Sequence, residues 1–188
     1  MLNSSLISGL NGGVFITISS DGFLYVAEQG SGTVKKYNLD GTQVNTFSLT
    51  GLSNPSGIVT DASGNIYVAD YGVSVGKYSA VTGAVISVPF ISDGLLYTLA
   101  TDSNGNIYGG YAIQDGIKKY DSSGNLQATF TGNNNSYSLL ADGDGNVYNG
   151  SAGSLQKYNS SGTQVSSSLV SPAGNIFGLA IGSPPPTH

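Results

Sequence analysis

DASGNIYVAD, residues 61–70, recurs in weakened form three more times along the chain. Aligning its tyrosine gives Tyr25, Tyr67, Tyr108 and Tyr148, with spacings of 42, 41 and 40 residues. A period of about 40 that keeps the same local order marks one supersecondary unit copied side by side. Two further markers keep phase with the tyrosine. A Lys-Tyr pair stands at Lys36-Tyr37, Lys77-Tyr78, Lys119-Tyr120 and Lys157-Tyr158, and a glycine follows each pair at Gly41, Gly83, Gly124 and Gly162. All six lysines lie in or beside these pairs and the chain has no arginine, so its positive charge belongs to the repeat and not to a binding patch.

Within the unit at residues 56–90, the apolar run Gly57-Ile58-Val59-Thr60 meets the turn Asp61-Ala62-Ser63-Gly64, where Asp can bond its own backbone and Gly accepts positive φ. Residues 65–69 are rich in β-formers, residues 75–78 run into a second turn at Thr82-Gly83, and residues 84–90 complete a fourth strand. The other copies follow the same grammar. Strand a is expected at 14–18, 97–101 and 137–141, strand b at 23–27, 106–110 and 146–150, strand c at 33–37, 116–120 and 154–158, and strand d near 43–48, 125–130 and 163–169. No stretch holds a 3.6-residue period. Four short antiparallel strands per unit describe the blade of an all-β propeller. Packing on both faces explains why strands a and b are apolar almost throughout. A β-sandwich would not require the same Tyr, Lys-Tyr and Gly in every unit.

The content is four full blades plus two stray strands, one outermost strand at 5–8 and one innermost strand at 176–181. At about 41 residues per blade this content reads as an interrupted propeller ring over residues 1–182, either a fragment or a ring closed by another chain, followed by a Pro-rich tail at 183–188. Open propeller ends expose unpaired strand edges and favour self-association.

Composition narrows the function classes. Charged residues make up 9% of the 188, against about 25% in ordinary soluble domains, which leans toward an extracellular or cell-surface protein, although the chain begins without a recognisable signal peptide. The net charge of −5 and a pI near 4.4 argue against nucleic acid. No apolar run reaches the length of a membrane span. Absence of cysteine excludes disulfides and thiolate metal sites.

The stretch from Pro55 to Asp70 resembles the NHL repeat, whose pattern reads Pro-x-Gly-Ile-Ala-Val-Asp-x-x-Gly-Asn-Ile-Tyr-Val-Ala-Asp and whose copies form propellers, commonly of six blades. The resemblance thus implies that the four blades are part of a six-bladed ring, which would need roughly 246 residues at about 41 per blade. The match fades in the third and fourth units, where Val-Ala-Asp becomes Gly109-Gly110-Tyr111 and Asn149-Gly150-Ser151. The resemblance implies a non-enzymatic binding or interaction scaffold for a peptide, protein or glycan, with no cofactor. A surface spacer without a specific ligand is the alternative, as is a lactonase- or lyase-like enzyme. Virginiamycin-lyase-like propellers share the blade pattern, but their chemistry depends on histidine, and the one histidine here is His188 on the proline tail. Gluconolactonase-like propellers hold a metal with carboxylates and Asn, for which Glu28, Asp70 and Asn149 are the comparable residues.

No catalytic or metal set stands out. Asp142-Gly-Asp-Gly-Asn146 and Asp102-Ser-Asn-Gly-Asn106 have the Asp-x-Asp/Asn spacing of calcium loops, yet an EF-hand counted from Asp142 finds Val147 and Gly153 where Gly and Glu are needed, so plain turns are expected. The candidate ligand site is aromatic. Tyr97, Tyr137 and Phe177 share one strand-a position, and Tyr71, Tyr111, Asn133, Asn134, Asn135, Asp115, Glu28 and Asp70 come from the b–c and d–a loops or the adjoining strand ends. Aromatic faces beside amides suit sugars or peptides.

Overall fold

The computed structural model describes residues 6–12, 14–113, 116–131, 135–170 and 174–180, and every regular element among them is a β-strand. Blade one holds β1 (Val14–Ile18), β2 (Phe23–Glu28) and β3 (Thr33–Asn38). Blade two holds β4 (Pro55–Thr60), β5 (Asn65–Asp70), β6 (Ser74–Ser79) and β7 (Val85–Ile91). Blade three holds β8 (Leu96–Thr101), β9 (Ile107–Tyr111), β10 (Ile117–Tyr120) and β11 (Leu126–Phe130), and blade four holds β12 (Ser138–Ala141), β13 (Val147–Ser151), β14 (Ser154–Tyr158) and β15 (Gln164–Val170). Each blade is an antiparallel meander in chain order, and the innermost strands β1, β4, β8 and β12 pack in succession around a common axis. This is a β-propeller arrangement. Among the described residues, no helix is long and apolar enough to cross a membrane.

The outermost position of blade one departs from the expected ladder over 43–48. Only two isolated bridges, Tyr37 to Gln43 and Val34 to Leu49, mark it. A turn closed by the Phe47 amide on the Val44 carbonyl lifts the chain out of register, and Phe47 and Leu49 are both buried as a result. Phe47 then meets Tyr25 edge-on at 5.4 Å.

Neighbouring blades share their cores. Tyr25 and Ala27 of blade one pack on Ile66, Val68 and Tyr78 of blade two, Tyr67 and Ala69 pack on Ile107 and Tyr120 of blade three, and Tyr108 packs with Val147 and Tyr158 of blade four. The fourth repeat tyrosine differs. Tyr25, Tyr67 and Tyr108 are buried while Tyr148 is half-buried, because its side of blade four has no following blade among the described residues.

Pairing explains the phased lysines. Tyr25 lies opposite Lys36, Tyr67 opposite Lys77, Tyr108 opposite Lys119 and Tyr148 opposite Lys157. Each ammonium stands 5.2 to 5.5 Å from the centre of its partner ring. The lysine stem covers the ring while the charge meets its electron-rich face.

The phased glycines mark the joints between units. Gly83, Gly124 and Gly162 have positive φ, and a Cβ on each would strike Ser48, Phe90 and Phe130 on the outer part of the preceding blade. A Cβ on Gly41 would strike Leu6 in the same way. Leu6 therefore occupies the outermost position of a preceding unit, as the reading of 5–8 anticipates, although residues 6–8 form no ladder. Residues 174–180 likewise occupy the next innermost position without a ladder beyond the bridge from Ala152 to Asn175. Ile181 and the tail at 183–188 lie outside the described residues.

Candidate functional site: the aromatic mouth of the axial channel

Each innermost strand begins at the face where the b–c turns meet the d–a loops. Hydrogen bonds tie these two sets of loops at every step: Leu52 donates to Gly32, Gly72 to Gly94, Ser136 to Tyr111, and Gly153 to Gly174. The last of these brings residues 174–180 to the axis as the earlier ones bring β4, β8 and β12. Behind this face lies a chamber of about 650 Å³.

Rings stand around its mouth. Phe15 on β1 meets Tyr97 on β8 edge-on at 5.3 Å and 85°, and Tyr71, following β5, meets the same Tyr97 at 5.8 Å and 87°. Blades one, two and three thus each supply one ring. Tyr137 and Phe177 form a second pair at 5.2 Å. Phe177 is 69% exposed, whereas Tyr71, Tyr97 and Tyr137 are half-buried. Burial, then the neighbouring Tyr137 and Tyr71 hydroxyls, raise the Tyr97 pKa above its ordinary value. Asn135, at φ 38°, donates from Nδ2 to the Tyr137 hydroxyl at 3.3 Å.

The other sequence-derived candidates lie elsewhere. Tyr111 is buried between blades two and three, and its hydroxyl donates to Asp93 at 2.6 Å. Lys118 reaches the same Asp93 oxygen at 2.7 Å. Burial opposes the charge of Asp93, but the Lys118, Tyr111 and Leu95 hydrogen bonds prevail and hold its carboxyl below the usual range. Asp70 accepts from the Ser53 and Asn54 amides, which fixes the loop into β4.

Glu28 is fully buried and accepts from Ser31 and Lys35, and Lys35 also lies 2.9 Å from its Oε1. Burial again works against the charge, and these partners outweigh it to lower the Glu28 pKa. Asn149 sits two residues before the end of β13, is buried, and donates to Gln156 at 3.1 Å. Glu28 and Asp70 are therefore engaged by their own surroundings, and so is the Asn149 Nδ2, while the buried Asn149 Oδ1 has no hydrogen-bond partner among the described residues. Asp115, Asn133, Asn134 and His188 lie outside the described residues.

The a–b turns are closed structural units. Asp142 accepts from the amides of Asp144 and Asn146, the side chain of Asn146 and the hydroxyl of Tyr148, and Asp102 repeats the pattern with Asn104, Asn106 and Tyr108. These are the turns expected at the two segments with calcium-loop spacing. Reading by sequence passed over Phe15 and Gln29, which also line the chamber. Phe15 carried a signal: it stands where the other units have Gly57, Thr98, Ser138 and Gly178, and is the one bulky residue there.

The family profile of the NHL repeat matches residues 52–74. No curated protein matches the chain. Among solved structures, selenomethionine-substituted virginiamycin B lyase from Staphylococcus aureus is similar, with a TM-score of 0.64 and 16% identity over 85% of this chain and 57% of that chain. At that identity the likeness shows the fold, and this chain spans 57% of the lyase's length. The matched repeat is blade two's β4 and β5 with their flanking loops, and its phased tyrosines, Lys-Tyr pairs and glycines run through all four blades, so the chain is a β-propeller that carries an NHL repeat in blade two.

Proposed function

We propose that this propeller is a non-enzymatic binding module that holds a peptide, protein or glycan segment at the mouth formed by its b–c and d–a loops, outside the cell or on its surface. The observation that carries the reading is the convergence of Phe15, Tyr71 and Tyr97 from three blades, with Tyr137 and Phe177 beside them, over a chamber of about 650 Å³. That volume falls in the range of ligand pockets, and aromatic rings with a nearby amide bind through faces and edges at small entropic cost. The opposite face carries repeated turns in which Asp61, Asp102 and Asp142 are already engaged by their own loops. Loops on a rigid scaffold are where recognition concentrates.

A peptide and glycan array compares the wild type with a Tyr97→Ala/Tyr137→Ala variant whose fold is checked by circular dichroism. Loss of a wild-type signal in the folded variant supports the reading. Equal binding by both removes the mouth, and no binding by either favours a spacer role. A lyase-like enzyme is the second reading, and cleavage of virginiamycin B by the wild type would replace the first.

A further inference from the structure

Five residues at one strand-a position, Ile16, Ile58, Leu99, Leu139 and Leu179, follow each other at 42, 41, 40 and 40 residues. All five line the chamber beneath the mouth, and all five also line a second, smaller chamber of about 290 Å³ toward the a–b turns. They form an aliphatic girdle across the axis, with the fifth member supplied by the segment that follows blade four. Among the described residues, no lysine, aspartate or glutamate lines either chamber. Ile58, Leu99 and Leu139 are buried, whereas Ile16 is 63% exposed although it lies on an innermost strand, so the girdle presents apolar surface to open space through Ile16.

We propose that the upper chamber receives an uncharged apolar group, aromatic or aliphatic, which passes the ring mouth and comes to rest on this girdle. The inference rests on the mouth being the binding face and names the chemistry it admits. A charged group would lose its hydration and meet no counter-charge, which is costly in a wall of this kind. An apolar group loses no hydrogen bond and releases water from both surfaces. The hydroxyls of Tyr97 and Tyr137 remain at the rim for a polar neighbour of that group. The apolar group could come from a free small molecule or from a side chain of a bound peptide, and both share this chemistry.

The test uses the neutral probe N-phenyl-1-naphthylamine with the full chain. Wild-type protein should bind it saturably, one per chain, with enhanced and blue-shifted emission. Because Ile16 is largely exposed, Ile16→Trp should block the chamber and Ile16→Asp should charge it without unfolding the blade, and each should weaken probe binding by about tenfold or more. An unchanged thermal midpoint keeps the two variants interpretable. Displacement by N-acetylphenylalaninamide would support the chamber and assign a peptide side chain, and its failure alongside intact probe binding would support the chamber and assign a free small molecule. Absence of saturable probe binding, or equal binding by both variants, overturns the inference. Array binding that depends on Tyr97 and Tyr137 without any probe binding would sink the girdle and leave the mouth standing. Probe binding with an empty array would do the reverse.

Discussion

The Tyr67 hydroxyl donates a 2.9 Å hydrogen bond to Oδ2 of Asp61, six residues earlier on the far side of the turn. Tyr108 and Asp102 repeat it at 2.9 Å, and Tyr148 and Asp142 at 3.3 Å. The Asp, the Asn four residues later and the Tyr two residues after that are one hydrogen-bonded assembly, which is why they recur together. Blade one breaks the pattern: Ser19 stands in place of the Asp and bonds Asp21, while Tyr25 donates across to the Ala80 carbonyl of blade two at 2.7 Å.

Tyr67→Phe should therefore cost about 1.5–3 kcal/mol, the range for a hydrogen bond to a charged acceptor. Tyr25→Phe, which gives up a bond to a neutral carbonyl, should cost about 1 kcal/mol. Urea melts of the two variants check the order. Equal losses would mean that the carboxylate adds nothing to the turn.

Truncating the repeat tyrosines should separate by position. Tyr67→Ala removes a fully buried ring between blades two and three and should cost about 3–5 kcal/mol. Tyr148→Ala removes a half-buried ring from a face with no described neighbour and should cost less than half as much. The same denaturant melts measure both, and comparable losses would show that the Tyr148 face is covered in solution.

The phased glycines allow a controlled comparison. Gly64 and Gly83 have nearly the same positive φ, 78° and 80°, but only Gly83 faces the Ser48 backbone where its Cβ would go. Gly64→Ala should cost about 1–2 kcal/mol from backbone strain alone. Gly83→Ala should exceed it clearly, since the joint between blades one and two must also open. Differential scanning calorimetry reads the difference directly.

Buried tyrosines should make alkaline unfolding cooperative. Burial, then the charge of Asp21, raises the Tyr25 pKa from 10.0 to about 12, and burial raises Tyr67, Tyr108 and Tyr120 further still. Their neutral form is favoured by folding, so this stability is complete below pH 10 and is lost as the pH rises through the folded value. Absorbance near 295 nm should show some of the 12 tyrosines ionising freely and the rest only in one step with loss of circular dichroism. A smooth titration of all 12 before unfolding would contradict the packing.

At the acid end the sign reverses. Asp61 and Asp102 are opposed by burial, but hydrogen bonds from Asn65 and Asn106 and from the tyrosines bring their pKa below the ordinary 3.8. Their contribution is present above that value and fades as the pH falls below it. Asp102→Asn should flatten the acid limb of a pH–stability curve, and an unchanged limb would assign acid sensitivity to other groups.

By itself the sequence determined what repeats. The period of Tyr25, Tyr67, Tyr108 and Tyr148, the Asp-to-Asn turns and the Lys-Tyr pairs are local or cross-strand features, and their spacing alone carries the strands, the blade and the order of blades. Tertiary structure decided what depends on neighbours in the next unit. Tyr111 looks like a mouth residue in the chain, yet Asp93, 18 residues earlier, draws its hydroxyl between blades. Phe47 looks like an outer-strand residue, yet it is buried edge-on against the Tyr25 ring and the regular ladder is interrupted there. Phe15 and Tyr97 lie 82 residues apart in sequence and touch at 5.3 Å only because the blades curve around one axis. That curvature comes from side chains packing between sheets, and no single repeat contains it.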